Sequence, residues 1–387
     1  MLSQNTARYE NIVNGIRQHY SHIEGTIPLH VPVFRGNEKQ YLNDTIDSTF
    51  VSSVGAYVNE VERKLAEITG AKYAIATGNG TLALHAALVL AGVKNDTEVI
   101  TQSLSFVATG NSILYCGAVP VFVDVDKDTG GLSPDSLKRF LQEFGEKTAD
   151  GKCRNKKTGR IIQACVPMHT FGLVCRIEAI AALCQEWNIT LVEDSAESIG
   201  SYAHGKHSGR FGALGVLSFN GNKTITCGGG GAILTDREDI AKHAKHITTT
   251  AKVPHAWEFF HDEVGYNYRL PNLNAALLLA QLEQLNSFLE DKAETAAYYT
   301  QLFSDLQVDM MKPLPNTIAN HWLNALLMRD RDDRDAFLKY SNDHGVMTRP
   351  AWTLMEKMPA FAHCFVFENT NAQWLEDRIV NIPSGVR

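Results

Sequence analysis

The chain lacks the cysteine patterns that hold disulfide frameworks or zinc sites. Its seven cysteines are an odd number, and none of them forms a CxxC pair. We therefore predict no metal site and a reducing compartment. The sequence also lacks a run of about 20 apolar residues, the length that a membrane span needs, and its N-terminal stretch has no apolar core of signal length. These absences predict a cytoplasmic protein with no membrane partner.

An excess of positive charge is also missing. The net charge is -7 and the sequence pI is about 6.1, so the composition gives no reason to expect a nucleic-acid partner. The basic residues that do cluster lie among Gly, Asp, Asn and Thr, which is typical of a solvated loop. They are Lys152, Arg154, Lys156, Lys157 and Arg160.

The glycine pattern excludes the two common nucleotide-binding loops. In the segment ATGNGTLALHAAL, Ala83 stands where a dinucleotide-binding fingerprint needs its third glycine, and no Gly-Lys-Ser/Thr follows. The segment instead predicts a strand, Tyr73 to Thr77, that turns through Gly78, Asn79 and Gly80 into a helix. Glycine lets a backbone approach a phosphate, and the positive end of a helix dipole favours its charge. We therefore predict a phosphate-binding turn here.

Short apolar strands alternate with helical segments from about Val58 onward, which predicts an α/β fold with a mostly parallel sheet between helices. After Pro271 the pattern changes to one long helix, Asn272 to Leu306. We expect an N-terminal segment, 1–35, packing on the body, and a large domain, 36–270. A connecting helix with a smaller C-terminal α+β domain, 271–387, follows.

Polar residues end three of the predicted strands, and ligands gather at this edge of a parallel sheet. The apolar run ITLVED ends on Asp194, the run IIQACVPMHTFG leads to His169, and VLSFNGNK leads through Ser218 to Lys223. An acid at a strand end can simply bond backbone amides, and a loop lysine is usually solvated. Together with the phosphate-binding turn, however, they match what pyridoxal phosphate requires. That cofactor needs a lysine amine and a carboxylate that keeps its pyridine nitrogen protonated.

These segments occur in an order that resembles the DegT/DnrJ/StrS sugar aminotransferases of fold type I. The resemblance extends from about Ile27 to the C-terminus and rests on Gly80-Thr81, Phe106, EDSAES, SFNGNK, GGGGAIL and NYRLPNLNAA. It implies a fold type I pyridoxal-phosphate-dependent transferase. Ser195 stands where the family usually has alanine, a small change. Lys223 is present where related sugar dehydratases have histidine, which favours transamination.

The resemblance also implies a role for each matching residue. Lys223 is the Schiff-base lysine and proton shuttle, Asp194 the partner of the ring nitrogen, and Glu197 a neighbour of the ring hydroxyl. The other residues implied to bind the cofactor are Gly80, Thr81, Leu82 and Ser218 at the phosphate, Phe106 on the ring face, and Asn267 reaching the phosphate of a partner subunit. Arg269 and His169 are expected on the substrate side, although His169 can equally pack beside the ring or bond a ligand-binding group. A homodimer with shared active sites follows.

The segments TRPAW, WLEDRIVNIPSG and SFNGNK resemble the LegC-type branch more narrowly. That resemblance implies transfer of an amino group from L-glutamate to C4 of a UDP- or GDP-linked 4-keto-6-deoxy-N-acetylhexosamine, on the way to legionaminic acid or bacillosamine-type sugars. Two alternatives stay open. One is an aminotransferase for another 4-keto nucleotide sugar, perosamine-like or 4-aminoarabinose-like, and the other is a non-catalytic regulator that binds pyridoxal phosphate. Pocket loops, expected to include Ser52 to Tyr57 and the loop around residue 150, set the substrate.

Overall fold

A computed structural model describes residues 2–387, with side chains from residue 6 onward. The α-helices in chain order are α1 Leu2–His19, α2 Glu38–Ser48, α3 Ala56–Thr69, α4 Gly80–Leu90, α5 Val107–Tyr115, α6 Pro134–Phe144, α7 Ile177–Glu186, α8 Glu238–Thr248, α9 Asn272–Asp305, α10 Arg331–Asp343 and α11 Thr370–Glu376. None of these described helices combines the length and apolar character needed to cross a bilayer.

The strands are mostly short and lie between the helices. In chain order they are β1 Tyr73–Thr77, β2 Glu98–Thr101, β3 Val119–Phe122, β4 Gly145–Lys147, β5 Cys153–Asn155, β6 Ile162–Val166, β7 Thr190–Asp194, β8 Tyr202–Ala203, β9 Lys206–His207, β10 Leu214–Ser218, β11 Gly231–Thr235, β12 Asp309–Met310, β13 Thr317–Ile318, β14 Asn324–Leu327, β15 Arg349–Pro350, β16 Phe365–Val366 and β17 Ile379–Ile382.

An eight-stranded sheet forms the centre of the fold, in the order β1-β11-β10-β7-β6-β2-β3-β16. Only β11 runs antiparallel to its neighbours, β1 and β10. Helices cover both faces, and the strand residues that pack against them are apolar and buried. This confirms the expected α/β fold with a mostly parallel sheet.

The sheet order determines where ligands can bind. Because β1, β10, β7 and β6 run in the same direction, their carboxyl ends meet at one edge. That edge carries Thr77, Ser218, Asp194 and Val166, the last residues of the four strands. Open parallel sheets bind their ligands at such an edge.

A second sheet, in the order β12-β14-β17-β15, is antiparallel and lies in the C-terminal part of the chain. The N-terminal helix α1 packs on this part, because Ile12 and Ile16 share an apolar cluster with Phe337 and Val380. We propose the domain boundaries near residues 35 and 270. The strand β16, however, extends the large sheet beside β3 although it lies beyond both boundaries in the sequence.

Two local expectations need correction. The strand predicted over Val119 to Val125 ends at Phe122. The loop around residue 150, which was expected to shape the substrate pocket, is the turn of a hairpin of β4 and β5 that carries Lys152 and Arg154. Asn155 of this hairpin donates a hydrogen bond to Glu98 at the start of β2. The hairpin therefore lies at the amino ends of the strands and takes no part in the ligand-binding edge.

Glu193, the residue before Asp194 in β7, is completely buried and is satisfied by hydrogen bonds. Its Oε1 accepts from the backbone amides of Phe211 and Gly212, and its Oε2 accepts from Gly209 N at 2.8 Å. The imidazole of His169 lies 3.1 Å from the same Oε2. The carboxylate thus fixes the loop before β10 to the centre of the sheet.

We expect Glu193→Gln to lower the free energy of unfolding by about 2–4 kcal/mol, because an amide nitrogen would face backbone donors and His169 would lose its ion partner. Urea titration of the apoprotein measures this loss. Glu178→Gln is the control, because Glu178 is exposed and only pairs with His204 on the surface; its change should stay within about 0.5 kcal/mol. Equal stabilities of the two variants would contradict the assigned role of Glu193.

Candidate active site

A cavity of about 510 Å³ opens at the carboxyl edge of the sheet. Most of the residues singled out in the sequence line it: Gly80, Thr81, Leu82, Phe106, Asp194, Glu197, Ser218 and Lys223. They come from separate strand ends and loops, and the strand order brings them together. The cavity therefore combines a carboxylate, an amine and a helix N-terminus.

Asp194 is 5% exposed, and backbone and side-chain donors hold its carboxylate. Thr109, in the first turn of α5, donates to Oδ2 at 2.8 Å, and the amide of Ala196 donates to Oδ1 at 3.1 Å. Donors to both oxygens fix the orientation of the carboxylate. The arrangement presents a fixed negative charge to the cavity.

Lys223 reaches the cavity from the loop after β10. Its Nζ lies 3.4 Å from Oε1 of Glu197, and the side chain of Glu197 is 2% exposed. Burial raises the pKa of Glu197 to about 7, although Lys223 and a hydrogen bond from the amide of Phe171 act in the opposite direction. Glu197 can therefore exchange a proton near neutral pH.

The N-terminus of α4 forms the third part of the site. Gly80 and Thr81 are the first two residues of this helix. Their backbone N–H groups therefore have no carbonyl partner within the helix. The amide of Leu82, which the resemblance assigned to the phosphate, instead donates to Oδ1 of Asn79 at 2.9 Å. Asn79 caps the helix, so we correct the cradle to the first two amides together with Ser218.

Gly80 must be a glycine for steric reasons. A Cβ on Gly80 would lie 2.8 Å from Cβ and 3.0 Å from Oγ of Ser218, at the end of β10. Because Gly80 has no side chain, the N-terminus of α4 and the hydroxyl of Ser218 can lie close together around one small space. Such a cradle suits a phosphate group.

Three predicted residues lie outside the cavity lining of this chain. His169 is fully buried and bonds Glu193 and the amide of Cys175. Burial alone lowers its pKa, but Cys175 and Glu193 outweigh burial and raise the pKa to about 10. Its neighbour Met168 lines the cavity instead. His169 thus lies outside the cavity lining of this chain, and its hydrogen bonds within the protein account for its position.

Arg269 is likewise used within the fold. Its guanidinium lies 2.6 Å from Glu62 and donates to the carbonyl of Ala76 at 3.0 Å, with only 5% of the side chain exposed. The expected placement on the substrate side is not found in this chain, because the ion pair holds Arg269 against β1. Asn267, two residues earlier, is exposed and outside the cavity lining.

A larger depression, of about 860 Å³, lies at the opposite edge of the sheet, where β7 and β10 begin. Its charged residues, Glu178 and Arg237, are more than half exposed. Exposed charges of this kind are well hydrated and are weak candidates for chemistry. We therefore place the site at the carboxyl edge.

The lining fits pyridoxal phosphate. A buried, hydrogen-bonded carboxylate suits a protonated ring nitrogen, the amine of Lys223 suits covalent attachment, and the α4 cradle suits the phosphate. Phe106 is the residue just before α5, lines the cavity and is 51% exposed, so a ligand in the cavity can reach its ring.

Comparison with known proteins decides the class. Residues 32–387 match the model of the DegT/DnrJ/EryC1/StrS aminotransferase family. The chain belongs to this family. It is 34% identical over 358 residues to GDP-perosamine synthase of Escherichia coli O157:H7, covering 92% of this chain and 93% of that protein. It is also 34% identical to the putative pyridoxal phosphate-dependent aminotransferase EpsN of Bacillus subtilis strain 168, covering 93% and 91%.

A solved structure gives the same result for the fold. The aminotransferase TlmJ from Streptoalloteichus hindustanus superposes with a TM-score of 0.83 at 26% identity, over 93% of this chain and 94% of that one. The chain is thus a pyridoxal-phosphate-dependent nucleotide-sugar aminotransferase, as the motifs predicted. The narrower resemblance to the LegC-type branch is not confirmed by these relatives.

Sequence reasoning placed Asn79 in the phosphate-binding turn without giving it a role, and it missed Thr109 and Trp322 in the cavity lining. An asparagine just before a helix is a strong capping signal, so the capping role of Asn79 could have been found. Trp352 entered only as part of the segment TRPAW. Thr109 and Trp322 reach the cavity through tertiary packing, and no local pattern marks them.

We expect Gly80→Ala to weaken binding of pyridoxal phosphate by about 10- to 100-fold, because the new methyl group would overpack against Ser218. Absorbance titration of the apoenzyme with the cofactor measures the dissociation constant. The control is Gly221→Ala, since a Cβ there would meet nothing within 4 Å; its dissociation constant should change less than about threefold. Unchanged affinity in Gly80→Ala would exclude the proposed cradle.

Proposed function

We propose that Lys223 binds pyridoxal phosphate covalently and that Asp194 holds the proton on its ring nitrogen. The observation that carries this assignment is that the amine of Lys223 and the buried carboxylate of Asp194 line one cavity beside the α4 N-terminus. Pyridoxal phosphate, when bound, supplies an electron sink for the negative charge that develops on the reacting carbon. The residues of the chain supply orientation, charge and proton transfer.

Lys223 moves the proton in this proposal. Its Nζ takes a proton from one reacting carbon and returns it to another, a type of general acid–base transfer worth about 10²- to 10⁴-fold in rate. Glu197 lies within 3.4 Å of that amine. The resemblance places Glu197 near the ring hydroxyl, and its pKa of about 7 allows it to hold or release a proton there.

The remaining residues hold the cofactor in place. The amides of Gly80 and Thr81 and the hydroxyl of Ser218 are proposed to bind the phosphate, and Phe106 to stack on the ring. These positions lie on the same cavity wall or rim. Thr109 supports the arrangement indirectly, because its hydrogen bond fixes the carboxylate of Asp194.

For the amino acceptor we propose a nucleotide-linked 4-keto-6-deoxyhexose, aminated at C4 with L-glutamate as the donor. The similarity to GDP-perosamine synthases from Escherichia coli O157:H7 and Vibrio cholerae supports a GDP-linked, perosamine-like sugar. The segments TRPAW and WLEDRIVNIPSG favour an N-acetylated sugar linked to UDP or GDP as the second candidate, and the first of these segments brings Trp352 into the cavity wall.

We also propose that the active enzyme is a homodimer with shared sites. The loop between α8 and α9 exposes Trp257, Phe259 and Phe260, and each is more than half exposed in the single chain. Exposed apolar clusters of this kind mark interaction surfaces. Asn267 follows this loop and is itself exposed, which is compatible with its expected reach to the phosphate of a partner subunit.

The decisive experiment supplies nitrogen-15-labelled L-glutamate with either GDP-4-keto-6-deoxymannose or UDP-4-keto-6-deoxy-N-acetylglucosamine. Mass spectrometry of the sugar nucleotide then detects transfer of the label. We expect labelled amino sugar from the GDP substrate in the perosamine-like case, and from the UDP substrate in the second case. Lys223→Ala should abolish transfer with either sugar, because the proton shuttle is lost.

Lys242→Ala serves as the matched control, because Lys242 is a highly exposed lysine on α8 that pairs with Glu238 on the surface. This variant should keep full activity. Label transfer to neither sugar would reject the proposed acceptor class, and substantial transfer by Lys223→Ala would reject the role of the lysine.

A further inference from the structure

Trp322, which lies just before β14, contacts the loop of Lys223 in two ways. The Nζ of Lys223 lies 4.1 Å from the centre of the indole ring. The indole Nε1 donates to the carbonyl of Asn222 at 2.7 Å, directly before the lysine in the chain. The same tryptophan therefore restrains both the backbone and the amine.

The position of Trp322 is itself fixed. The residue is 5% exposed, and its amide donates to Oδ1 of Asn320 at 2.9 Å. Its carbonyl accepts from Nζ of the fully buried Lys292 at 3.2 Å, and Lys292 also donates to the carbonyl of Ser384. The hydrogen bonds of its amide and carbonyl fix the backbone of Trp322, and the bond of its indole Nε1 fixes the ring. The ring therefore stays beside the amine of Lys223.

An aromatic face attracts a cation, and more so where water is excluded. The titratable groups near Lys223 include Glu197 at 3.4 Å, Asp194, which acts on Glu197, and His30. Lys292 bonds the carbonyl of Trp322 and lies near both His30 and His321. Burial lowers the pKa of His30, brings that of His321 to about 4 and brings that of Lys292 to about 7. The histidines are therefore uncharged at neutral pH, and the indole ring supplies a contact to the ammonium that does not titrate.

We propose that Trp322 is a positioning residue that holds the free amine of Lys223 as an ammonium at the place from which it returns its proton. This inference rests on the proposed role of Lys223. When Nζ takes the proton from a reacting carbon it becomes a cation, and when it gives the proton back it becomes a neutral amine. The indole ring stabilises the cationic member of this pair and keeps it within the cavity.

The test compares Trp322→Phe and Trp322→Leu with the parent holoenzyme. We expect kcat to fall about 3- to 30-fold in Trp322→Leu and less in Trp322→Phe, the range that a cation–π contact supports. KM for the sugar nucleotide should stay within about threefold. The basic limb of the kcat–pH profile should move to lower pH by about 0.5 to 1 unit, because the ammonium loses stabilisation.

Two further measurements test whether titration of Glu197, or the general loss of an indole–cation contact, causes the change in the pH profile. The shift should persist when both Trp322 variants are made in a Glu197→Gln background, which removes a group that titrates near pH 7. Trp374→Phe is the matched control, because Lys127 lies 4.8 Å from the Trp374 ring outside the cavity lining. This control should leave kcat and the limb unchanged. Melting temperatures of all variants monitor folding.

Borohydride reduction followed by peptide mass spectrometry distinguishes a failure of the proposed role of Lys223 from a failure of the proposed role of Trp322. Cofactor fixed on a residue other than Lys223 in the parent enzyme would reject the proposed function itself. Cofactor fixed on Lys223 with an unmoved basic limb, or with KM and kcat changing together, would reject only the role of Trp322. If Trp322→Leu does not fold, the same criteria apply to Trp322→Phe.

Discussion

The ionised carboxylate at the end of β7 is the constraint on which the site depends. A carboxylate that is 5% exposed is costly to keep charged unless donors and a cation compensate it. Thr109 and the amide of Ala196 provide the donors from two different segments. A protonated ring nitrogen would provide the cation, so the protein surroundings of Asp194 and the chemistry of the cofactor support each other.

The two adjacent acids of β7 have different roles: Glu193 stabilises the fold, and Asp194 lines the cavity. Successive residues of a strand point to opposite faces of the sheet, so Glu193 and Asp194 reach different surroundings. Glu193 is enclosed by backbone amides and His169, and it fixes the loop before β10. That loop leads into β10, which ends at Ser218, so the buried acid stabilises the framework from which the loop of Lys223 extends.

Sequence patterns could predict the parts of the site that depend on strand ends and glycines. Asp194 and Ser218 end short apolar strands and Gly80 follows one, and parallel strands bring their ends to one edge. Patterns could not predict contacts made by tertiary packing. The ion pair of Arg269 with Glu62 and the approach of Trp322 to Lys223 join residues far apart in the sequence.

Tertiary packing also explains where the fold differs from what the sequence patterns predict. The strand β16 lies within the C-terminal part of the sequence and yet pairs with β3, which no local apolar pattern reveals. His169 follows a strand end as Asp194 does, but its partner is a buried acid of the neighbouring strand. A strand end thus predicts the edge of the sheet on which a residue lies, while its neighbours decide what it contacts.

The central claim is that Asp194 keeps the cofactor nitrogen protonated. Nitrogen-15 NMR of enzyme reconstituted with ring-labelled pyridoxal phosphate measures that protonation directly, in the parent enzyme and in Asp194→Asn. We predict a protonated ring nitrogen in the parent enzyme, and an unprotonated nitrogen with severely reduced transamination in the variant. A nitrogen that stays protonated in Asp194→Asn, with activity retained, would contradict the account.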